Sequence, residues 1–289
     1  MTKEKTSQLL IIVGLALVII EAAFIIILLI NRGDGNPEVH KPQRSTTQET
    51  AEPTTVVTEP PYPVSGLTAE DFVMVDGFMT CTAEQYMTGI DVSSHQGKID
   101  WEQVASAGVR FAIIRLAYRG YGEAGKLVVD ERAQENYEGA KAAGLMVGGY
   151  MFSQALNVEE AVEEAELVLE ITADWKLDMP VAFDWEFMHV DARTDGMDKA
   201  TITDCALAFC QRLKEGGLKP MLYTGSRMHT LDMNRVQEYP MWLALYSETM
   251  SYPYWMSYWQ YSCTGRVPGI AGDVDLNIFL TGSKFMPAE

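Results

Sequence analysis

Met179-Pro180-Val181-Ala182-Phe183-Asp184-Trp185-Glu186 is an apolar run that ends in two carboxylates separated by one residue. Successive side chains of a strand alternate faces, so Asp184 and Glu186 point the same way. Two residues along a strand place their backbones roughly 6 to 7 Å apart. At that separation one ionised carboxylate raises the pKa of its neighbour and holds a proton near neutral pH. An isolated D-x-E is more commonly a solvated strand end, so the rest of the chain decides its meaning.

Working outward, strand-like and helix-like segments alternate. Strands read at about 87–92, 110–116, 145–152, 179–186, 219–224, 240–246, 256–261 and 273–279, and helices at about 100–107, 130–143, 158–173 and 199–216. Gly108, Gly144 and Gly216-Gly217 stand at helix ends, where a left-handed cap is needed. Four clean strand–helix units followed by less helical connections predict an α/β fold. It is an irregular (β/α) barrel of TIM-barrel type with fewer helices in its C-terminal part. A doubly wound open sheet is the alternative, and no P-loop supports a nucleotide site.

In such a barrel the carboxyl ends of the strands gather at the face that carries the chemistry. Asp91 ends the first strand, Asp184 and Glu186 end the fourth, and Asp275 lies in the last, which closes beside the first. Asp273 shares a face with Asp275, and pattern does not separate them. Two acids with split protonation suit glycosidic-bond cleavage: one protonates the leaving oxygen and the other stabilises positive charge on the sugar. Aromatic residues sit near the same strand ends, among them Tyr118, Tyr150, Tyr223 and Trp259, and flat rings with a polar tip stack on sugars. Core packing competes for about half of them; Tyr150 and Tyr223, closing strands, are the better cleft candidates.

The four histidines show no zinc spacing, so no metal and no cofactor is expected. No Gly-x-Ser-x-Gly elbow is present, and the cysteines lack a catalytic partner. A net charge of -18 argues against nucleic acid as a partner. Oligomeric state is not legible.

Outside this region, residues 1–8 form a short tail and Leu9–Ile30 is a 22-residue apolar run broken by Glu21. At a helical rise it spans about 33 Å, enough to cross a bilayer. An uncleaved single-pass anchor is expected rather than a signal peptide, because the apolar run continues past Ala22-Ala23. Basic residues flank both sides, so charge does not orient it. Residues 31–66 are rich in Pro, Thr and Glu and read as a linker. Residues 67–86 lead into the domain at 87–289, with a hairpin expected through Val75-Asp76-Gly77-Phe78. Cys81 and Cys263 flank the domain, and the sequence leaves open whether a disulfide joins them where those ends meet outside the cytosol.

Thr88-Gly89-Ile90-Asp91-Val92-Ser93-Ser94-His95-Gln96-Gly97-Lys98-Ile99-Asp100-Trp101 resembles the opening motif of glycoside hydrolase family 25, the muramidases or lysozymes. Phe111-Ala112-Ile113-Ile114-Arg115, Asp130, Asn136 and Ala142-Ala143-Gly144-Leu145 resemble the family's next segments. Asp184-Trp185-Glu186 resembles its acidic motif, and Trp259-Gln260-Tyr261-Ser262, Gly269-Ile270 and Val274-Asp275-Leu276-Asn277 its closing ones. The resemblance implies cleavage, without a metal, of the β-1,4 bond between N-acetylmuramic acid and N-acetylglucosamine in peptidoglycan. It makes Glu186 the general acid, Asp184 its charged neighbour, and Asp91 and Asp275 the rest of an acidic floor. It also implies net retention, with either a carboxylate or the substrate's acetamido group as nucleophile. Met151 departs from the family, where histidine is common, which puts a local hydrogen bond or subsite preference in doubt. A peptidoglycan substrate places the domain outside the cell membrane. Two readings stand beside it: a chitinase-like hydrolase, which also uses a D-x-E strand end, and a wall-binding module without turnover.

Overall fold

The computed structural model describes residues 63–188, 190–225 and 230–282. The expected tail at 1–8, the anchor at 9–30 and the linker up to residue 62 lie outside these residues. Among the described residues no helix is long and apolar enough to cross a membrane.

The first element is a hairpin of β1 (Phe72–Val75) and β2 (Phe78–Cys81), paired antiparallel through the expected Asp76-Gly77 turn. Both turn residues have positive φ, 51° and 85°, as a two-residue hairpin loop of this hand requires. Eight strands then close a barrel among the described residues: β3 (Tyr86–Val92), β4 (Phe111–Arg119), β6 (Met146–Ser153), β7 (Val181–Trp185), β8 (Pro220–Gly225), β9 (Met241–Ala244), β10 (Tyr258–Gly265) and β11 (Val274–Leu280). The short β5 (Leu127–Val129) pairs antiparallel with the end of β4. Helices follow the first strands only: α1 (Trp101–Ser106) after β3, α2 (Ala133–Ala142) after β5, α3 (Val158–Ile171) after β6 and α4 (Lys199–Glu215) after β7. Asp100, Asn157 and Asp198 cap α1, α3 and α4, each accepting a hydrogen bond from a backbone N–H three residues on. Gly108, Gly144 and Gly217 have positive φ just past their helices.

One direction differs from a fully parallel barrel. The last strand, β11, runs antiparallel to both β10 and β3. It therefore enters the barrel at the rim where β3 leaves it, which decides where Asp275 lies.

Period-2 alternation sorts the side chains into an interior and an outer layer. Phe111, Ile113, Ala182, Met221, Tyr223, Trp242, Tyr258 and Phe279 fill the interior. Gly89 makes room for this packing, since a Cβ there would lie 2.3 Å from the Phe111 ring. Outside, α3 and α4 bury Ala161, Ala165, Val168, Ile202, Ala206 and Phe209 against β6, β7 and β8. No helix covers β10 and β11 among the described residues, and the hairpin does so instead. Phe72 meets Trp259 edge-on at 5.2 Å, and the Met79 N–H donates to the Tyr261 hydroxyl at 3.1 Å.

Two sequence expectations change here. Residues 63–65, read as linker, belong to the fold: the Ser65 N–H donates to the Pro253 carbonyl, and the Trp255 N–H to the Pro63 carbonyl. The sequence left a Cys81–Cys263 disulfide open, and the structure closes the question: Cys81 is buried, Cys263 is exposed, and no disulfide joins the two.

Candidate active site

The four acids converge at one rim. Asp91, the sixth residue of β3, lies directly across the ladder from Asp275, the second residue of β11. Asp184 ends the inward-facing series of β7 after Ala182, flanked by Phe152 on β6 and Tyr223 on β8. Glu186 is the first residue past that strand and is half-buried, whereas Asp184 is 6% exposed. Asp273 separates cleanly from Asp275: it is exposed and pairs with Arg266 at 2.9 Å.

Asp91 is clamped by two amides. Gln260 Nε2 and Asn277 Nδ2 each donate to its Oδ2 at 2.8 Å. Neither amide is free to turn over, because each carbonyl is already engaged. Gln260 Oε1 accepts from the Tyr223 hydroxyl at 2.8 Å and from Tyr246 at 3.2 Å, and Asn277 Oδ1 accepts from Trp242 Nε1 at 2.8 Å. The donors therefore face the carboxylate and favour its charged form. Burial works against them and pushes Asp91 up to about 6.

The other acids hold protons more tightly. Burial, then the charges of Asp91 and Glu186, push Asp275 up to about 8. Asp184 is raised well above the ordinary carboxylate range by burial, by Glu186 and Asp91, and by a hydrogen bond between its carboxyl and that of Glu186. Asp184 Oδ1 is buried without a hydrogen-bond partner. The positive charge of Arg115 opposes these shifts at Asp184. Its guanidinium is held by Asp130, at 2.8 Å, and by the Ser94 hydroxyl, at 3.2 Å. Asp130 also accepts from the Ser94 N–H, which ties the segment after β3 to β4.

The aromatic candidates divide by face. Tyr150 and Tyr223 point inward, stacked edge-on against Trp242 at 6.1 and 4.8 Å. Burial pushes both phenols well above their ordinary range, so they remain hydrogen-bond donors. Tyr118, with the Arg115 guanidinium 5.1 Å from its ring centre, lines a groove of about 630 Å³ together with Arg115, Tyr121, Val129, Phe152 and Met188. A hollow of about 720 Å³ on the outer wall, between α1 and residues 269–271, has none of the four acids in its lining.

Trp259 does not belong to the site. It is fully buried in the outer layer, its Nε1 donates to the Leu245 carbonyl, and the hairpin covers it. Residues 258 and 260 face the interior, so 259 and 261 must face out. The same alternation settles Met151: beside inward-facing Tyr150, it is fully buried against the helices and reaches no cleft residue. The histidine departure therefore concerns outer packing rather than a subsite.

No sequence motif marks Gln260, Asn277 and Trp242 as members of the Asp91 clamp. The signal was present in the period: Asn277 shares a face with Asp275, and Gln260 with Tyr258. Among the described residues, no group of three or more His, Cys, Asp or Glu side chains forms a metal-binding arrangement.

A barrel whose rim gathers four acids over an aromatic floor fits a glycoside hydrolase. Comparison with known proteins gives the family. Residues 90–270 match the model for glycosyl hydrolases family 25, and the chain belongs to that family. It is 30% identical over 204 residues to lysozyme M1 of Streptomyces globisporus, covering 66% of this chain and 67% of that protein. It is 32% identical to the autolytic lysozyme of Clostridium acetobutylicum, covering 68% and 56%. Among solved structures, the bacterial lysozyme of Streptomyces coelicolor superposes with a TM-score of 0.52 at 29% identity, over 68% of this chain and 93% of that one. The modular autolysin LytC of Streptococcus pneumoniae shares the fold, with a TM-score of 0.60 at 22% identity, over 72% of this chain and 52% of that one. The chain thus spans little more than half of the Clostridium and Streptococcus proteins. The family match ends before Asp275, whose membership of the acid cluster rests on its place opposite Asp91.

Proposed function

We propose that the protein is a peptidoglycan muramidase that hydrolyses the β-1,4 bond between N-acetylmuramic acid and N-acetylglucosamine, in cell-wall remodelling or lysis. The observation that carries this is the meeting of Asp184 and Glu186 at the end of β7 beside amide-clamped Asp91, with burial raising Asp184 well above the ordinary carboxylate range so that it keeps a proton. In the free site the proton rests on Asp184, the more buried partner. Glu186, the more exposed one, donates it to the leaving oxygen once a glycan enters. Asp184, left charged, then stabilises the positive sugar ring. Ionised Asp91 sustains the negative field in which an oxocarbenium-like transition state is favoured, with Asp275 protonated beside it at neutral pH. Tyr118, Tyr150 and Tyr223 supply ring faces and hydroxyls for the glycan.

The test is incubation of the full-length protein with purified peptidoglycan and identification of the new reducing ends. Muramic acid at those ends supports the assignment, and N-acetylglucosamine there selects the chitinase-like reading instead. Glu186→Gln should lose nearly all turnover while retaining the fold and wall binding. Absence of turnover in the unaltered protein, with wall binding intact, selects the binding-module reading.

The apolar run 9–30 and the Pro/Thr/Glu-rich stretch after it support a further proposal: a single-pass anchor with the catalytic domain extracytoplasmic. Cell fractionation checks the first half. Digestion of the domain by protease added outside cells lacking a wall checks the second.

A further inference from the structure

Glu186 stands just beyond the support of its strand. The ladder between β6 and β7 runs to Ser153 opposite Trp185, and Glu186 is the next residue. Its backbone carbonyl is nevertheless held, by the side chain that follows Ser153. Gln154 Nε2 donates to the Glu186 carbonyl at 3.0 Å and to the Ser153 carbonyl at 3.0 Å. Gln154 Oε1 accepts from the Thr194 hydroxyl at 2.6 Å.

Both side chains are buried, Gln154 at 0% and Thr194 at 1% exposure. A buried amide left without its hydrogen bonds bears the full desolvation cost of its polar atoms, so its bonds are made. A methionine would fill a similar volume without that requirement. Thr194 belongs to the segment that leaves β7 through Glu186, and Arg193 beside it binds Glu160 at 2.6 Å. That segment therefore returns to lock the amide that holds its own first residue. Rotation of the amide would turn its oxygen toward two carbonyl oxygens and lose both donated bonds.

We infer that Gln154, oriented by Thr194, is a positioning residue that extends the β7 ladder by one residue and so fixes the direction of the Glu186 carboxyl. It acts through the Glu186 main chain and touches no reacting atom. This rests on the reading of Glu186 as proton donor. Displacement of a donor by about 1 Å can cost on the order of 100-fold in rate.

The test compares Gln154→Met, Thr194→Val, Thr194→Ser and the Gln154→Met/Thr194→Val double variant, all in the full-length protein, with Glu186→Gln alongside. Gln154→Met should lower kcat at least tenfold with KM within twofold, and should displace the pH–rate profile because Glu186 no longer meets Asp184 squarely. Thr194→Val should fall in the same direction. Thr194→Ser should recover most of that loss, and the double variant should be no slower than Gln154→Met alone. The inference is overturned if Gln154→Met keeps kcat within twofold while Glu186→Gln abolishes turnover, or if Thr194→Ser and Thr194→Val lose activity equally. If Gln154→Met does not fold, the two Thr194 variants decide alone. Retained turnover in Glu186→Gln overturns the donor assignment itself, and the positioning role with it.

Discussion

Asp275 sits directly opposite Asp91 in the antiparallel ladder that closes the barrel. Like-charged residues facing each other across strands repel, and an ordinary sheet avoids the pair. Here the repulsion is divided unequally: two amide donors keep Asp91 near 6, and Asp275 is left at about 8. The pair therefore carries about one charge at neutral pH, and the sugar site faces one ionised and one protonated carboxyl.

Hydrolysis should consequently rise as pH climbs through about 6, where Asp91 ionises, and fall on the alkaline side as the cluster loses its remaining protons. Replacing Asp91 by asparagine removes a charge that raises both Asp184 and Asp275. Their pKa values then drop, so whatever activity survives should show its alkaline limb displaced to lower pH. A kcat/KM profile from pH 4 to 10 measures this, and an unmoved limb contradicts the coupling.

The amide clamp makes a prediction of opposite sign. Gln260→Leu removes a hydrogen bond that favours ionised Asp91, so the Asp91 pKa rises above 6. The acid limb of the same profile should move to higher pH. Tyr223→Phe frees the Gln260 carbonyl from one of its two donors and should move that limb the same way by less.

Stability should depend on pH in a direction unusual for an acidic protein. Asp91, Asp184 and Asp275 all have folded pKa values above the unfolded value of 3.8. Between 3.8 and the folded values the native state binds more protons than the unfolded chain, so stability falls as pH rises through that window. Thermal unfolding should give a lower Tm at pH 8 than at pH 5. Asp275→Asn should flatten the decline, and a Tm that increases from pH 5 to 8 would count against the raised values.

Beneath β6, Arg119 binds Glu164 at 2.7 Å, with Glu164 fully buried and pushed up by burial to about 7 despite the partner. Arg119 also donates to the carbonyls of Gly125 and Glu160. Arg119→Met strands these acceptors and the buried acid, and should cost about 3–5 kcal/mol of stability at neutral pH, where the acid is partly ionised. Denaturant unfolding at pH 5 and pH 8 checks it, with the smaller loss expected at pH 5, where Glu164 is neutral.

Trp259 offers a contrast between packing and binding. Trp259→Ala should destabilise the fold by about 3–5 kcal/mol, as buried aromatic truncations do. In the fraction that remains folded, KM for peptidoglycan should be unchanged, because the ring lies under the hairpin and outside the cleft.

Much of this protein was legible before any coordinates. The alternation of strands and capped helices specified a barrel with a helix-poor second half, because hydrophobic period, cap residues and glycine stops are local properties. Asp184 and Glu186 were legible as a pair for the same reason: two residues apart on one strand need no tertiary information to share a face. The faces of β6 and β10 followed the same period, and Trp259 was misplaced only where nearness to a strand end outweighed it. What the tertiary structure alone decided was direction and partnership. Nothing local to 274–280 says that this strand runs backwards, and only that reversal carries Asp275 to the rim where Asp91 lies. Nor does any local pattern show Gln260 and Asn277 turned toward Asp91 by Tyr223, Tyr246 and Trp242. Those hydrogen bonds join residues more than 160 positions apart, and they exist because the barrel closes.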